Sequence, residues 1–167
     1  MKGSELRLIE YMEGSKKRFI IPVYQRNYDW KIENCKQLYD DLIQVIKNNS
    51  KTHFFGSIVS VYEPSGRNTE FLIIDGQQRL TTMSLLFLAM YNLLEEKIII
   101  SEDESLKDQI YEDFLVDKYQ PQEKRMKLKP IKNDQKAFSK LFNSKDDYIK
   151  DSNLTINYSY FYERIQK

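Results

Sequence analysis

The stretch "FLIIDGQQRLTTMSLLFLAM", from Phe71 to Met90, decides the fold. Its first residues include two β-branched isoleucines and are typical of a buried strand. The apolar run that begins at Leu80 is typical of a buried helix. Between the two stand an acid, a glycine, two amides and a cation, where a plain turn needs only one or two polar residues. The stretch therefore predicts a strand that passes directly into a helix, with ligand-binding groups at the junction.

The residues of this junction suit an anion such as a phosphate. A helix N-terminus offers free backbone N–H groups and the positive end of the helix dipole, and Gly76 lets a ligand approach the backbone closely. Arg79 adds a fork of donors, and Thr81 and Thr82 add hydroxyls in the first turn. Asp75 is expected either to hold a hydrated Mg²⁺ or to cap the helix. The residues alone are equally compatible with a plain N-cap followed by surface glutamines.

A second polar cluster, "PVYQRNYDW", runs from Pro22 to Trp30 and also lies between a predicted strand and a predicted helix. Aromatic residues interleaved with Gln25 and Arg26 suit stacking on a base and gripping a phosphate. Tyr24 and Tyr28 are candidates to contact a base or DNA. Core packing is nevertheless the favoured interpretation for Tyr28 and for the single tryptophan, Trp30. Because both clusters follow strands, we expect Arg26 and Arg79 to point into one shared pocket.

Composition limits the class of protein. The chain has 167 residues, 41% of them hydrophobic and 31% charged, which fits one compact domain. No apolar run reaches the roughly 18 residues that a membrane span needs, and the first residues lack the apolar region of a secretory signal. The single cysteine, Cys35, cannot form an internal disulfide, so we expect a cytoplasmic protein.

Several familiar chemistries are absent from the sequence. It contains no "GxxxxGK[ST]" phosphate-binding loop. One histidine and one cysteine cannot build a zinc site of the His/Cys type from this chain alone. A nucleophile pair of Cys35 and His53 is conceivable, but Cys35 falls on the apolar face of its predicted helix. A buried structural thiol is therefore the favoured interpretation.

The charges are balanced in number but not in position. Lysine and arginine total 26, against 25 aspartates and glutamates. An acidic stretch between residues 102 and 117 is followed by a basic one between residues 124 and 132. The favoured interpretation is a pair of solvated faces that attract each other. The alternative is a phosphate-contacting strip in which Arg125 and Lys127 touch DNA.

The order of predicted elements is mixed, with helices between a few strands, so the fold class is α+β. Residues 1–95 are expected to form the core, and residues 96–167 a helical extension packed on it, so that the chain is a single compact unit.

Three motifs together carry a family resemblance. "FIIPVYQRNYDW", "HFFGSIV" and "FLIIDGQQRLTTMSLLFLAM" resemble, in order and spacing, the N-terminal domain of GmrSD-type restriction endonucleases. The resemblance continues more weakly through "RMKLKPIKNDQKAFSKLF" and "NYSYFYERI", so it covers nearly the whole chain. It implies a ParB/sulfiredoxin-like fold: a small mixed sheet flanked by helices and followed by C-terminal helices. It also implies a role in bacterial defence against modified phage DNA.

The resemblance further implies a sensor domain with its nucleotide-binding core in residues 1–95, which hydrolyses a nucleoside triphosphate with Mg²⁺ and forms the N-terminal part of a larger protein. Cutting is expected in a separate C-terminal nuclease domain or partner subunit and not in this chain. Gln77 stands where ParB relatives carry a metal-holding Glu, so the metal must use Asp75 or another group. Asp75 and Gln77 are the candidate catalytic residues. The candidate phosphate contacts are Gln25, Arg26, Gly76, Gln77, Gln78, Arg79, Thr81 and Thr82. The alternative function is a non-catalytic DNA-binding and regulatory module whose cleft grips backbone phosphate.

Overall fold

The computed structural model describes residues 7–49, 56–66 and 68–167. His53, the histidine of the conceivable nucleophile pair, lies outside these residues. The described chain forms six α-helices and four strands. In chain order these are α1 (Leu8–Met12), β1 (Lys17–Ile20), α2 (Ile32–Lys47), β2 (Val59–Ser65), β3 (Asn68–Asp75), α3 (Gln77–Glu95), α4 (Leu106–Ile110), β4 (Leu128–Lys129), α5 (Lys132–Lys140) and α6 (Asn153–Gln166). A π-helical turn, Tyr111–Leu115, continues α4. The predicted α+β class is confirmed.

The four strands form one mixed sheet in the order β2-β3-β1-β4. β1 is parallel to both of its neighbours, β3 and β4, whereas β2 and β3 form an antiparallel hairpin. Pro22 follows the end of β1, where its missing N–H costs the ladder nothing. The sheet takes its fourth strand from residues 128–129, within the segment expected to form the C-terminal extension.

The long helix α3 forms the centre of the core because its sequence is apolar on nearly all sides. Leu80, Leu85, Ala89 and Leu93 are fully buried. One hydrophobic cluster joins α3 to residues from both halves of the chain, including Phe19 of β1 and Phe161 of α6. None of the helices in the described ranges is long and apolar enough to cross a membrane.

The topology brings three strand-to-helix junctions to the same edge of the sheet. The parallel strands β3, β1 and β4 lead into α3, α2 and α5, so their carboxyl ends face the same way. The chain moves from β1 to β3 on one side and then returns to β4 on the other side of β1. In open sheets, ligands bind in the crevice outside the carboxyl ends of the strands at such a reversal.

Candidate functional site

A surface pocket lies at these three junctions. Its empty space is about 210 Å³, open solvent included. The β1–α2 loop, defined here as residues 21–31, contributes Ile21, Arg26 and Tyr28 to its lining. The remaining lining residues come from the first turns of α3 and from the start of α5: Gln77, Gln78, Thr81, Pro130, Ile131 and Asp134. The two polar clusters of the sequence therefore meet, although they lie about fifty residues apart.

The N-terminus of α3 begins without a side-chain cap. Its N-cap residue is Gly76, in the left-handed conformation with φ +92°, and no side chain accepts a hydrogen bond there. A Cβ on Gly76 would lie 2.8 Å from the carbonyl oxygen of Ser57. Glycine is required here both by the backbone conformation and by the close approach of Ser57. The turn thus leaves the positive end of the helix dipole without a neutralising carboxylate cap.

Gln78 has a role that the sequence did not reveal. Its Oε1 accepts hydrogen bonds from the backbone N–H groups of Asp29 at 2.9 Å and Trp30 at 3.3 Å. Its Nε2 donates to the carbonyl of Asn27 at 3.2 Å. The side chain therefore fastens the β1–α2 loop to α3, and its polar atoms serve the loop backbone. The expectation that this amide is a phosphate contact is replaced by a structural role.

Gln25 fastens the same loop to the end of β3. Its Nε2 donates to the carbonyl oxygens of Ile74 at 2.8 Å and Ile73 at 3.3 Å. Arg26, by contrast, is two-thirds exposed and pairs only loosely with Asp29, at 3.7 Å. Its guanidinium lies at the pocket with donors to spare. Arg26 and Gln77 are thus the predicted residues best placed to meet a ligand there.

Asp134 is a pocket residue that sequence reasoning missed. Its Oδ2 accepts the backbone N–H of Tyr28 at 2.8 Å. Burial raises the pKa of this carboxyl, and the hydrogen bond from Tyr28 opposes that rise. The only sequence signal was a carboxylate in the first turn of a helix after a short strand. That signal is common, and the pairing of β4 with β1 was needed to place it at the pocket.

Two of the predicted contacts, Thr82 and Tyr28, are buried. Thr82 is fully buried and its Oγ1 donates to the carbonyl of Gln78 at 2.7 Å. Tyr28 is 6% exposed, and its hydroxyl lies 2.8 Å from the Oγ1 of Thr82 and 2.8 Å from the Nδ2 of Asn157. Tyr28 therefore packs in the core and does not present its ring to a base. Tyr24, at 69% exposed, remains open to solvent.

Cys35 lies beside this buried group. It is fully buried, and burial raises the pKa of its thiol to about 11. A thiol with a raised pKa is a poor nucleophile near neutral pH. The structure agrees with the interpretation of Cys35 as a structural thiol.

Asp75 and Arg79 lie away from the pocket. Asp75 is exposed at the end of β3, paired in register with Val59 of the edge strand β2. The Arg79 side chain packs against Gly56, where a Cβ would lie 2.6 Å from its Nε. Neither residue is among the pocket-lining residues. The expectation that Arg26 and Arg79 share one pocket is wrong for the described residues, because Arg79 faces the segment leading into β2.

Lys127 is 2% exposed and cannot touch DNA. Its Nζ donates to the backbone carbonyls of Met12 and Gly14, both at 2.6 Å, and of Asp113. The prediction of a DNA contact is therefore wrong for Lys127, whose ammonium joins three segments of the fold. Arg125 is exposed, with its Nε donating to the carbonyl of Gln120 at 3.1 Å.

Metal ligands are sparse. The described ranges contain no group of three or more His, Cys, Asp or Glu side chains arranged to hold a metal ion. Asp134 is the one carboxylate among the residues that line the pocket. Mg²⁺ usually binds through one or two carboxylates together with substrate phosphates.

The chain resembles one family of known proteins. Residues 8–167 match the family described as GmrSD restriction endonuclease, N-terminal domain. A search of curated proteins gives no match. The match spans almost the whole chain, including the pocket and the helices behind it.

Proposed function

Because the chain belongs to the family of GmrSD restriction endonuclease N-terminal domains, we propose that its pocket binds the phosphates of a nucleotide. The protein would act as the nucleotide-binding, triphosphate-hydrolysing sensor of a restriction system that recognises modified phage DNA. Cutting would belong to a C-terminal nuclease domain or partner subunit. The family supports the restriction role, and the pocket chemistry supports the nucleotide.

The observation that carries the proposal is the meeting of three strand-to-helix junctions at one pocket with Arg26 beside it. The first turn of α3 supplies backbone N–H groups and a positive dipole end without a side-chain cap. Arg26 supplies charge, and Gln77 supplies an amide. Backbone donors combined with an arginine are a frequent arrangement for phosphate recognition.

The size of the pocket suggests which part of a nucleotide it takes. The enclosed part of the pocket is small, so it suits a phosphate group better than a whole nucleotide. The base would then lie over the exposed part of the β1–α2 loop, where Val23 is 91% and Tyr24 69% exposed. Tyr24 is therefore the residue proposed to stack on the base.

Magnesium would accompany the triphosphate and neutralise charge that builds up on its phosphates during hydrolysis. Asp134 replaces Asp75 as the carboxylate best placed to meet that ion, since Asp75 lies outside the pocket. Gln77 would orient the phosphate or an attacking water, as proposed from its place in the motif. Arg79 would contribute only if the segment around Gly56 moved.

A second candidate function is DNA binding without catalysis, and one surface favours it. At the opposite edge of the sheet, Lys16, Lys17, Arg18 and Lys124 line a pocket with an empty space of about 290 Å³, open solvent included. Glu70 and Asp117 share that lining and offset part of the charge. Exposed Arg125 lies next to Lys124 in the chain. Backbone phosphates of DNA would suit such a surface.

Calorimetric titration of a panel of nucleoside triphosphates, with and without Mg²⁺, separates the two functions. We expect the protein to bind a nucleoside triphosphate. Arg26→Ala and Gln77→Ala should weaken this binding, and Lys124→Ala should leave it unchanged. DNA affinity without nucleotide affinity, lost in Lys124→Ala, would instead establish the second function.

A further test concerns the division of labour. The purified chain should not cleave modified or unmodified phage DNA in the presence of Mg²⁺ or Mn²⁺ and a triphosphate. Cleavage that disappears in Asp134→Ala or Asp75→Ala would show that the nuclease lies within residues 1–167.

A further inference from the structure

We infer that Asn157 of α6 is a positioning residue that fixes the β1–α2 loop at the candidate site, so that α6 controls ligand affinity without touching the ligand. The inference rests on the proposed function for its ligand. The position of the loop itself is a separate and measurable property.

Asn157 is fully buried and reaches the loop twice. Its Nδ2 donates to the hydroxyl of Tyr28 at 2.8 Å and to the backbone carbonyl of Trp30 at 2.8 Å. A backbone carbonyl only accepts, so the amide nitrogen must face the loop. The Oδ1 is buried with no partner among the described residues. An unpaired buried carbonyl costs free energy. Asn157 has this cost in the orientation that lets its Nδ2 form two hydrogen bonds to the same loop.

Behind the pocket, the donor and the acceptor of each hydrogen bond between Asn157, Tyr28 and Thr82 can be assigned. The single hydroxyl proton of Thr82 goes to the carbonyl of Gln78. Thr82 must therefore accept from Tyr28, at 2.8 Å, although the distance alone leaves that direction open. Tyr28 in turn accepts from Asn157. The chain of donors runs from α6 through the loop to the first turn of α3, and every hydroxyl in it both donates and accepts.

Three helices thus form hydrogen bonds with the same β1–α2 loop. Gln78 of α3 and Asp134 of α5 do so from the pocket wall. Asn157 does so from behind and is not a lining residue. A loop held in its binding conformation pays less ordering entropy when a ligand arrives. Loss of Asn157 should therefore weaken binding although no ligand contact is removed.

The loop carries its own reporter, because Trp30 is the only tryptophan in the chain. Asn157→Ala should shift the fluorescence emission of Trp30 in the ligand-free protein. It should also lower the affinity for inorganic pyrophosphate about tenfold, which corresponds to the loss of one hydrogen bond between uncharged groups. Asn92→Ala is the matched control. Asn92 donates to the hydroxyl of Tyr158 at 2.7 Å, which also joins α3 to α6, but it does not touch the loop. It should lower stability and leave both readouts unchanged.

Tyr28→Phe covers the case in which Asn157→Ala does not fold, because it keeps the buried ring and removes only the hydroxyl. It should shift Trp30 emission in the same direction. Unchanged emission in a folded Asn157→Ala or Tyr28→Phe protein would overturn the positioning role. If wild-type protein binds no pyrophosphate, the proposed function fails, and the ligand-free emission still decides whether Asn157 positions the loop.

Discussion

Gln78 accepts a hydrogen bond from the backbone N–H of Asp29 at 2.9 Å, across 49 residues of sequence. This bond joins the two polar motifs, the one at Pro22–Trp30 and the one that begins at Asp75. It also shows that one of the two neighbouring glutamines is occupied in holding the other motif. Of the two pocket-lining glutamines, Gln78 therefore has a structural role, and Gln77 is the one proposed to meet a ligand.

Gln77→Ala and Gln78→Ala should separate these roles. Removing Gln78 leaves two backbone N–H groups and one carbonyl of the loop unpaired, so the free energy of unfolding should fall by about 1–3 kcal/mol. Gln77 makes no side-chain hydrogen bond to a described residue, so its loss should change stability little and weaken triphosphate binding. Urea unfolding followed by Trp30 fluorescence, with calorimetric titration alongside, measures both. Equal stability losses in the two variants would contradict the division.

Gly76→Ala should destabilise the protein strongly. The added Cβ would clash with the backbone carbonyl of Ser57 at 2.8 Å, in addition to the strain at φ +92°. Gly66→Ala is the control, since Gly66 also has a positive φ, of +65°, but its Cβ would meet nothing within 4 Å. Strain alone is of order 1–3 kcal/mol, so Gly76→Ala should exceed the control by the cost of the clash. Thermal unfolding measures the difference, and equal losses would argue against tight packing of this turn.

Lys127→Met and Arg125→Met test whether the basic segment contacts DNA. The first change leaves one buried and two partly buried carbonyls without their donor and should cost about 1–3 kcal/mol of stability. The second removes an exposed side chain and should change stability by less than about 0.5 kcal/mol. If the protein binds DNA, a gel-shift titration should show weaker binding only for Arg125→Met. A folded Lys127→Met protein with reduced DNA affinity would contradict the structural role of Lys127.

Lys127 should also make stability depend on pH. Burial lowers the pKa of its ammonium to about 8, against which the carboxylates of Asp113 and Asp117 act. In the unfolded chain this pKa is near the ordinary value of about 10.4, so the unfolded state binds more protons between these two values. The unfolding free energy of wild-type protein, relative to Lys127→Met, should therefore rise with pH from about 8 to about 10.4. Urea unfolding at a series of pH values measures how this difference in unfolding free energy changes. If the difference falls with pH, the hydrogen bonds to the three carbonyls stabilise the ammonium more than burial destabilises it.

Arg79→Ala should distinguish a ligand contact from a packing role. The guanidinium of Arg79 lies against Gly56 and outside the pocket. We therefore expect the affinity for a triphosphate to fall by less than about tenfold, or about 1.4 kcal/mol. Arg79→Lys should behave like wild type in that case. A larger fall in affinity, with stability preserved, would show that the segment around Gly56 rearranges to bring Arg79 to the ligand.

The sequence by itself determined the elements and the chemistry of the junctions. The apolar run after Leu80 predicted the buried helix, and the Asp75–Gly76 pair predicted where it begins, because these are local properties of the chain. Motif spacing identified the family. The polar residues after β1 and β3 marked the region of the site, since residues with no use in packing stand out in sequence.

Only the tertiary structure decided which of those polar residues face the pocket. Gln77 and Gln78 are neighbours with the same side chain, and strand pairing together with the turn of the helix separates their roles. Asp134 entered the site because β4 pairs with β1, and Lys127 left the surface because the carbonyls of Met12, Gly14 and Asp113 surround its ammonium. Most of these contacts join residues between 49 and 115 positions apart, which no local pattern of the sequence encodes.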